Sequence, residues 1–163
     1  MNIIVTGSKG QLGSEIQQLA NGYPEFSFTF IDIRELDLTD VEKVVAFFES
    51  VPFDGIIHCA AYTAVDKAES EPALAMALNA ASPGQIARIA VSKDAWVVHI
   101  SSDYVFDGNN HRPYTEDDPT NPASIYAKSK LEGELEIIRS HARGIILRTS
   151  WLYSQFNSNF VKT

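Results

Sequence analysis

The sequence predicts an α/β protein: a doubly wound parallel sheet, Rossmann-like, in a three-layer α/β/α arrangement. Three observations carry that prediction. Short apolar runs such as "IIV", "WVVHI" and "IIL" are continuous rather than alternating, as expected of parallel strands covered on both faces. Helical patterns separate those runs, with apolar residues three and four apart. Glycines crowd the junction between the first strand and the first helix, at "VTGSKGQLG".

Taken in order, strands are expected at residues 2–6, 26–32, 55–59, 95–101 and 144–148. The first helix follows from Leu12, Ile16, Leu19 and Ala20. The second follows from Val41, Val44, Val45 and Phe48, and starts at Thr39 or Asp40, either of which can cap free amides. A longer helical stretch runs over about 72–92 through Leu74, Leu78, Ile86 and Ile89, and Pro83-Gly84 is expected to bend or divide it. The last helix covers about 124–140, with Ala127, Leu131, Leu135 and Ile138 on its inner face. Strands alternating with helices over short links give a parallel sheet. Right-handed crossovers then bring the loops after the strands to one edge, where ligands bind in such folds. Residues 106–123, with Gly108, Asn109, Asn110 and three prolines, form one long irregular connection of a kind that is often functional.

Composition narrows the function classes. At 163 residues the chain is one domain by length, and its net charge of -8 opposes nucleic acid or anionic membrane as a partner. The single cysteine, Cys59, lies in the apolar run "GIIHCAA"; it cannot form an intramolecular disulfide and reads as a small core residue. The start "MNIIVTGS" has no basic leader, and no apolar run nears the ~20 residues of a membrane span. A cytoplasmic location is the expectation. No residues have metal-ligand spacing, because His58, His99, His111 and His141 are dispersed.

Gly7, Gly10 and Gly13 stand at G-x-x-G-x-x-G between an apolar strand and a helix. There the backbone can turn tightly and offer main-chain amides at a helix N-terminus to a pyrophosphate. Asp32 closes the second strand, where a carboxylate accepts hydrogen bonds from an adenosine ribose and favours NAD. Arg34, two residues on, is placed to pair with the extra phosphate of NADP. Both cofactors stay open on these cues.

"SIYAKSK" puts Tyr126 and Lys130 at i and i+4 on one helix face. That face is offset by one residue from the apolar stripe, so it is expected to look out beside the sheet. An unperturbed phenol has a pKa of ~10; a nearby ammonium would stabilise the phenolate and lower it. The fourth strand ends in Ser101 and Ser102, and a hydroxyl there can donate to a carbonyl oxygen as charge develops on it. The glycine turn, the strand-end hydroxyl and Y-x-x-x-K occur in the order an oxidoreductase site needs.

Together "GQLG", "AAYTAVDKAESEP", "SSDYVFDG", "YAKSKLEGE", "RTSWLYS" and "NFVKT" resemble the dTDP-4-dehydrorhamnose reductase family of the extended short-chain dehydrogenase/reductases. The likeness covers nearly the whole chain. It implies NAD(P)H-dependent reduction of the 4-keto group of dTDP-4-dehydro-L-rhamnose, yielding dTDP-L-rhamnose for surface polysaccharides. It implies Tyr126 as proton donor, Lys130 as its electrostatic partner and Ser102 as the carbonyl-binding hydroxyl. The implied cofactor contacts are Gly7, Gly10, Gln11, Leu12, Asp32, Asp37, Leu38, Ala60, Ala61, Tyr62, Thr63, Tyr126 and Lys130. The implied substrate contacts are Ser102, Asp103, Tyr104 and Trp151. Asp66, Lys67 and Glu69 are read as structural.

The chain departs from the family pattern at Ser102 (more often threonine), Ala127 (usually glycine) and His58 (often asparagine). Family members also continue for roughly another hundred residues that supply most of the sugar-nucleotide pocket. Residues 1–150 are therefore expected to form the NAD(P)-binding domain, and 151–163 to begin the segment leading into a substrate-binding part that is absent. On this expectation the chain binds NADPH or NADH but turns over little by itself. A homodimer is the partner the family suggests, with magnesium at a dimer contact in some full-length members and Glu15 as the one residue here that could reach it. The alternatives are another sugar-nucleotide epimerase or reductase of the superfamily, or a non-catalytic NAD(P)-binding regulatory subunit.

Overall fold

The computed structural model describes residues 1–162. Strands β1 (Asn2–Thr6), β2 (Ser27–Ile31), β3 (Gly55–His58), β4 (Trp96–Ser102) and β5 (Arg143–Thr149) form one sheet in the order β2-β1-β3-β4-β5. Every neighbouring pair is parallel. The helices are α1 (Gln11–Ala20), α2 (Val41–Ser50), α3 (Val65–Ala68), α4 (Pro72–Met76), α5 (Ser82–Ser92) and α6 (Ile125–Arg139). The chain leaves β1 towards β2 and returns across β1 to β3, so right-handed crossovers put α1 on one face and α2, α5 and α6 on the other. α5 packs on both α2 and α6. The direction of winding reverses between β1 and β3, which opens a crevice at their carboxyl ends.

The core lies between the sheet and the three-helix face. Ile4, Ile31, Val44, Phe48, Phe53, Ile56, Ile86 and Val97 form its apolar body. Phe48 meets Phe53 edge to face at a centroid distance of 5.4 Å, a favoured aromatic geometry. Asp40 is the cap of α2, its Oδ1 accepting from the Lys43 amide at 3.1 Å. Ser124 does the same for α6, accepting from the Ala127 amide at 3.1 Å.

Two helical expectations are corrected. The stretch over 72–92 is divided before Pro83, not at it: α4 passes into a π-helical turn, Ala77–Ala81, and Pro83 sits in the first turn of α5. Proline has no N–H to give the carbonyl of Asn79 four residues earlier, and a proline in a first helical turn loses nothing by that. On α6 the inward face carries Ala127, Ser129, Lys130, Gly133, Glu134 and Ile137, whereas Ile138 is 60% exposed. The helix is thus rotated relative to its apolar stripe. The cause is Gly133, where a Cβ would stand 2.1 Å from the Asn79 carbonyl oxygen. Only a glycine face lets α6 come this close to the π turn, and that contact overrides the weaker apolar stripe.

After β5 the chain does not run away from the sheet. Residues 150–162 fold back across the start of α1. Asn157 Nδ2 donates to the Lys9 carbonyl at 2.8 Å, and Asn159 Nδ2 to Gln11 Oε1 at 3.2 Å. The Gln155 amide donates to Glu15 Oε1 at 3.2 Å, which gives that carboxylate an internal partner. Among the described residues no helix is long and apolar enough to cross a membrane, and no three His, Cys, Asp or Glu side chains are grouped to hold a metal ion.

Candidate active site

A cleft of about 710 Å³ opens at the crevice between β1 and β3 and extends past the end of β4. Its floor is the glycine turn. Gly7 has φ +66°, and a Cβ there would lie 2.6 Å from the Ala60 nitrogen. A Cβ on Gly13 would lie 2.3 Å from the Gly7 carbonyl oxygen. The turn is therefore pinned between the β3 loop and α1, with backbone rather than side chains facing the opening. Beyond it the cleft is walled by Gly10, Gln11, Leu12, Asp32, Asp37 and Leu38 on one side, and by Ala60, Ala61 and Thr63 on the other.

Asp32 is held rigidly. Its Oδ2 accepts from the Lys9 amide at 2.9 Å and its Oδ1 from the Ile33 amide at 2.9 Å. Glu35 receives the Asp32 amide at 3.0 Å and pairs with Lys9 Nζ at 3.2 Å. Arg34 is exposed and does not line the cleft. Asp37 accepts from both the amide and the hydroxyl of Thr39, which hold its carboxyl below the usual range.

At the other end Ser102, Asp103, Tyr104, Tyr126, Lys130 and Trp151 line the same cleft. Ser102 caps a short 3₁₀ turn, accepting from the Tyr104 amide at 3.2 Å and donating to Asp103 Oδ1 at 3.2 Å. The ring of Tyr104 meets that of Tyr126 edge to face, centroids 5.8 Å apart. Lys130 is 2% exposed, and its Nζ donates to the Ile100 carbonyl at 2.5 Å. The face expected to look outward is thus buried beneath the cleft, because α6 is turned by its close approach at Gly133.

The electrostatics also differ from the expectation. Burial pushes Lys130 down to about 8, opposed by Glu134. Tyr126 moves up, not down: burial raises it, the Ser102 hydroxyl pulls it back, and Asp103 and Tyr104 push it further up. The ammonium of Lys130 is turned to the Ile100 carbonyl and is not among the groups acting on the phenol. Tyr126 therefore keeps its proton throughout the neutral range, the state a proton donor requires.

Of the residues singled out from sequence, Tyr62 stands apart. Its hydroxyl donates to Glu71 Oε2 at 2.7 Å, which raises it to about 12, and it is not among the residues around the cleft. Its backbone still braces the site, because its amide and carbonyl are both bonded to the Asn79 side chain. Asn79 in turn donates to Ser129 Oγ at 3.0 Å, which donates to the Tyr126 carbonyl at 2.7 Å. Glu69, read as structural, accepts the Ile125 amide at the start of α6 at 2.8 Å. Cys59 lines the cleft, with its thiol pushed by burial up to about 12 and so unreactive.

Sequence reasoning missed the bracing groups Asn79, Ser129 and Glu134, and the cleft residues Thr149, Ser150, Leu152, Asn157 and Ser158. For Glu134 a signal existed, a carboxylate one helical turn past Lys130. For the segment after β5 there was none, because its fold-back depends on amides meeting α1 in space.

Fold and cleft together define a Rossmann-like α/β domain with its opening at the topological switch point. The RmlD substrate binding domain family matches residues 1–163. The dTDP-4-dehydrorhamnose reductase of Escherichia coli K12 is 41% identical over 167 residues, covering all of this chain and 55% of the relative. That of Aggregatibacter actinomycetemcomitans is 37% identical over 161 residues, covering 99% and 55%. Among solved structures, a Clostridium acetobutylicum dTDP-4-dehydrorhamnose reductase aligns with a TM-score of 0.95 at 44% identity, covering 99% of this chain and 57% of that one. A Bacillus anthracis dTDP-4-dehydrorhamnose reductase in complex with NADP aligns at 0.94 with 39% identity, covering 99% and 57%. The chain belongs to the RmlD substrate binding domain family. It spans about half the length of the curated relatives it matches.

Proposed function

We propose that this chain forms the cofactor-binding part of an NAD(P)H-dependent reductase acting on dTDP-4-dehydro-L-rhamnose, with residues 1–150 as the dinucleotide-binding domain. One observation carries the reading: Ser102, Tyr126 and Lys130 line the same cleft as the glycine turn and Asp32. A module that only bound nucleotides would not need all three polar groups at its far end. The naming of close relatives as dTDP-4-dehydrorhamnose reductases supports the substrate.

The cleft fits a dinucleotide on its own chemistry. At the middle the backbone of the Gly7–Gly10 turn is bare, at one end Asp32 offers acceptor oxygens, and at the other end a buried amine waits at Lys130. The turn would take the pyrophosphate, Asp32 and Asp37 the adenosine side, and Lys130 the ribose hydroxyls of the nicotinamide. Bound there, a reduced nicotinamide supplies the hydride. Ser102 Oγ orients the sugar carbonyl by donating to its oxygen, in exchange for its present bond to Asp103. Tyr126 Oη then gives its proton to the C4 alkoxide, a far stronger base than a phenolate, so its raised pKa does not stall transfer. Asp103, Tyr104 and Trp151 edge the substrate end.

Binding and turnover are tested separately. Titration of the chain with NADPH and with NADH, followed by nucleotide fluorescence, should show saturable binding. Binding of neither would end the proposal. In the complete protein, oxidation of the reduced nucleotide with dTDP-4-dehydro-L-rhamnose should fall about 10²–10⁴-fold in Tyr126→Phe with cofactor affinity retained. An undiminished rate removes Tyr126 as the donor.

A further inference from the structure

Beneath the cleft, one carboxylate joins three elements. Glu134, 2% exposed, accepts from Ser101 Oγ on β4 at 2.5 Å. It also takes the fork of Arg148 on β5, with Nε at 2.9 Å from Oε1 and Nη2 at 2.7 Å from Oε2. It stands on α6 one turn beyond Lys130, which is equally buried. Arg148 is held from behind by the ring of Phe106, 4.9 Å from its guanidinium carbon.

We propose that Glu134 is the positioning residue for Lys130: braced by Ser101 and Arg148, its carboxylate fixes the helix bearing Tyr126 and Lys130 to the strand end bearing Ser102, and stands one helical turn from the buried amine on the same inward face. The proposal rests on reading Lys130 as part of a reductase site.

A buried ammonium needs a compensating charge. The titratable groups that interact with Lys130 are His58 on β3, His99 on β4 and Glu134 on its own helix. Both imidazoles are buried, held neutral well below their ordinary range, and stacked at a centroid distance of 5.4 Å. Tyr126 is neutral. Glu134 is thus the anion of this set, and it opposes the downward push of burial on Lys130. The Arg148 fork fixes the Glu134 carboxylate in place, with one guanidinium nitrogen on each of its oxygens. Without that anion the amine would be neutral near pH 7 and would lose its cationic pull on ribose hydroxyls or a developing phenolate.

The test reads the charge of Lys130 directly. In the chain labelled with ¹³C-lysine, the ε-carbon of Lys130, assigned by its loss in Lys130→Met, is titrated by NMR with the fold checked by circular dichroism. The midpoint should lie near 8 in the parent. In Glu134→Gln, which keeps the shape and an acceptor oxygen, it should fall by about 1–3 units. Ser101→Ala removes a brace but no charge and should leave the midpoint in place. Should Glu134→Gln fail to fold, the double variant Glu134→Gln/Arg148→Gln also removes the guanidinium that the first change leaves without its partner, and should show a fall as well. A midpoint unmoved by loss of the carboxylate overturns the proposal, and so does an equal fall in Ser101→Ala. The titration needs no nucleotide, so failure of NADPH to bind would strike the reductase reading while leaving this result standing.

Discussion

Gly7 shows how a single atom decides the site. A side chain there meets both an unfavourable φ of +66° and the Ala60 backbone 2.6 Å away. Gly7→Ala should therefore lower stability by about 1–3 kcal/mol, and weaken NADPH binding more than adenosine binding, because the displaced turn faces the pyrophosphate. Urea denaturation and nucleotide titration measure the two effects, and equal loss for both ligands would contradict the assignment of the turn. At the same scale the pairing of Tyr126 with Lys130 was readable from their spacing, but the direction of the phenol's shift was not. Helical spacing reports which side chains share a face. It does not report how much water reaches them, and burial is what raises Tyr126 and lowers Lys130.

At the scale of elements, the meeting of α6 with the π turn does most to build the site. Gly133 admits the Asn79 carbonyl, and the Asn79 side chain links the backbone of Tyr62 to Ser129 and so to Tyr126. Gly133→Ala should push α6 outward, destabilising the chain by about 1–3 kcal/mol or more, since backbone rather than a flexible side chain stands in the way. Chemical-shift changes in an amide NMR spectrum should concentrate at residues 60–63, 77–82 and 124–134. Changes confined to the immediate neighbours of Gly133 would show that the contact does not propagate to the site. The strands were legible because parallel strands buried on both faces leave unbroken apolar runs. The rotation of α6 was not, because its inward face carries a lysine, a glutamate, a serine and a glycine beside only two apolar residues, Ala127 and Ile137. A periodicity argument follows hydrophobicity, and this helix is seated by a glycine contact and an ion pair.

Across the whole molecule, the pair His58–His99 sets the response to acid. Burial lowers His58 to about 3 and His99 well below 6.5, with Lys130 nearby adding to both and His58 also lowering His99. The unfolded chain thus binds protons that the folded chain refuses. The contribution of the two histidines is complete above about pH 6.5 and falls as pH drops towards the folded values, by ~1.4 kcal/mol per pH unit for each histidine. Carboxylates such as Asp37 and Asp40 add their own loss only at lower pH, where they begin to protonate. Urea midpoints between pH 6.5 and 5 should show the slope of two protons, and His58→Asn should halve it. An unchanged slope in that variant would remove His58 from the account.

From its sequence alone the chain determined the parallel sheet, the glycine turn and the presence of a tyrosine, a lysine and a serine at the right elements, because these follow from local rules of apolar runs, backbone freedom and helical spacing. Tertiary structure alone decided that Lys130 is buried, that Tyr62 turns to Glu71, that residues 150–162 fold back over α1, and that Glu134 ties three elements together. Each of these depends on which groups from distant parts of the chain meet and exclude water, and linear spacing holds no record of that encounter.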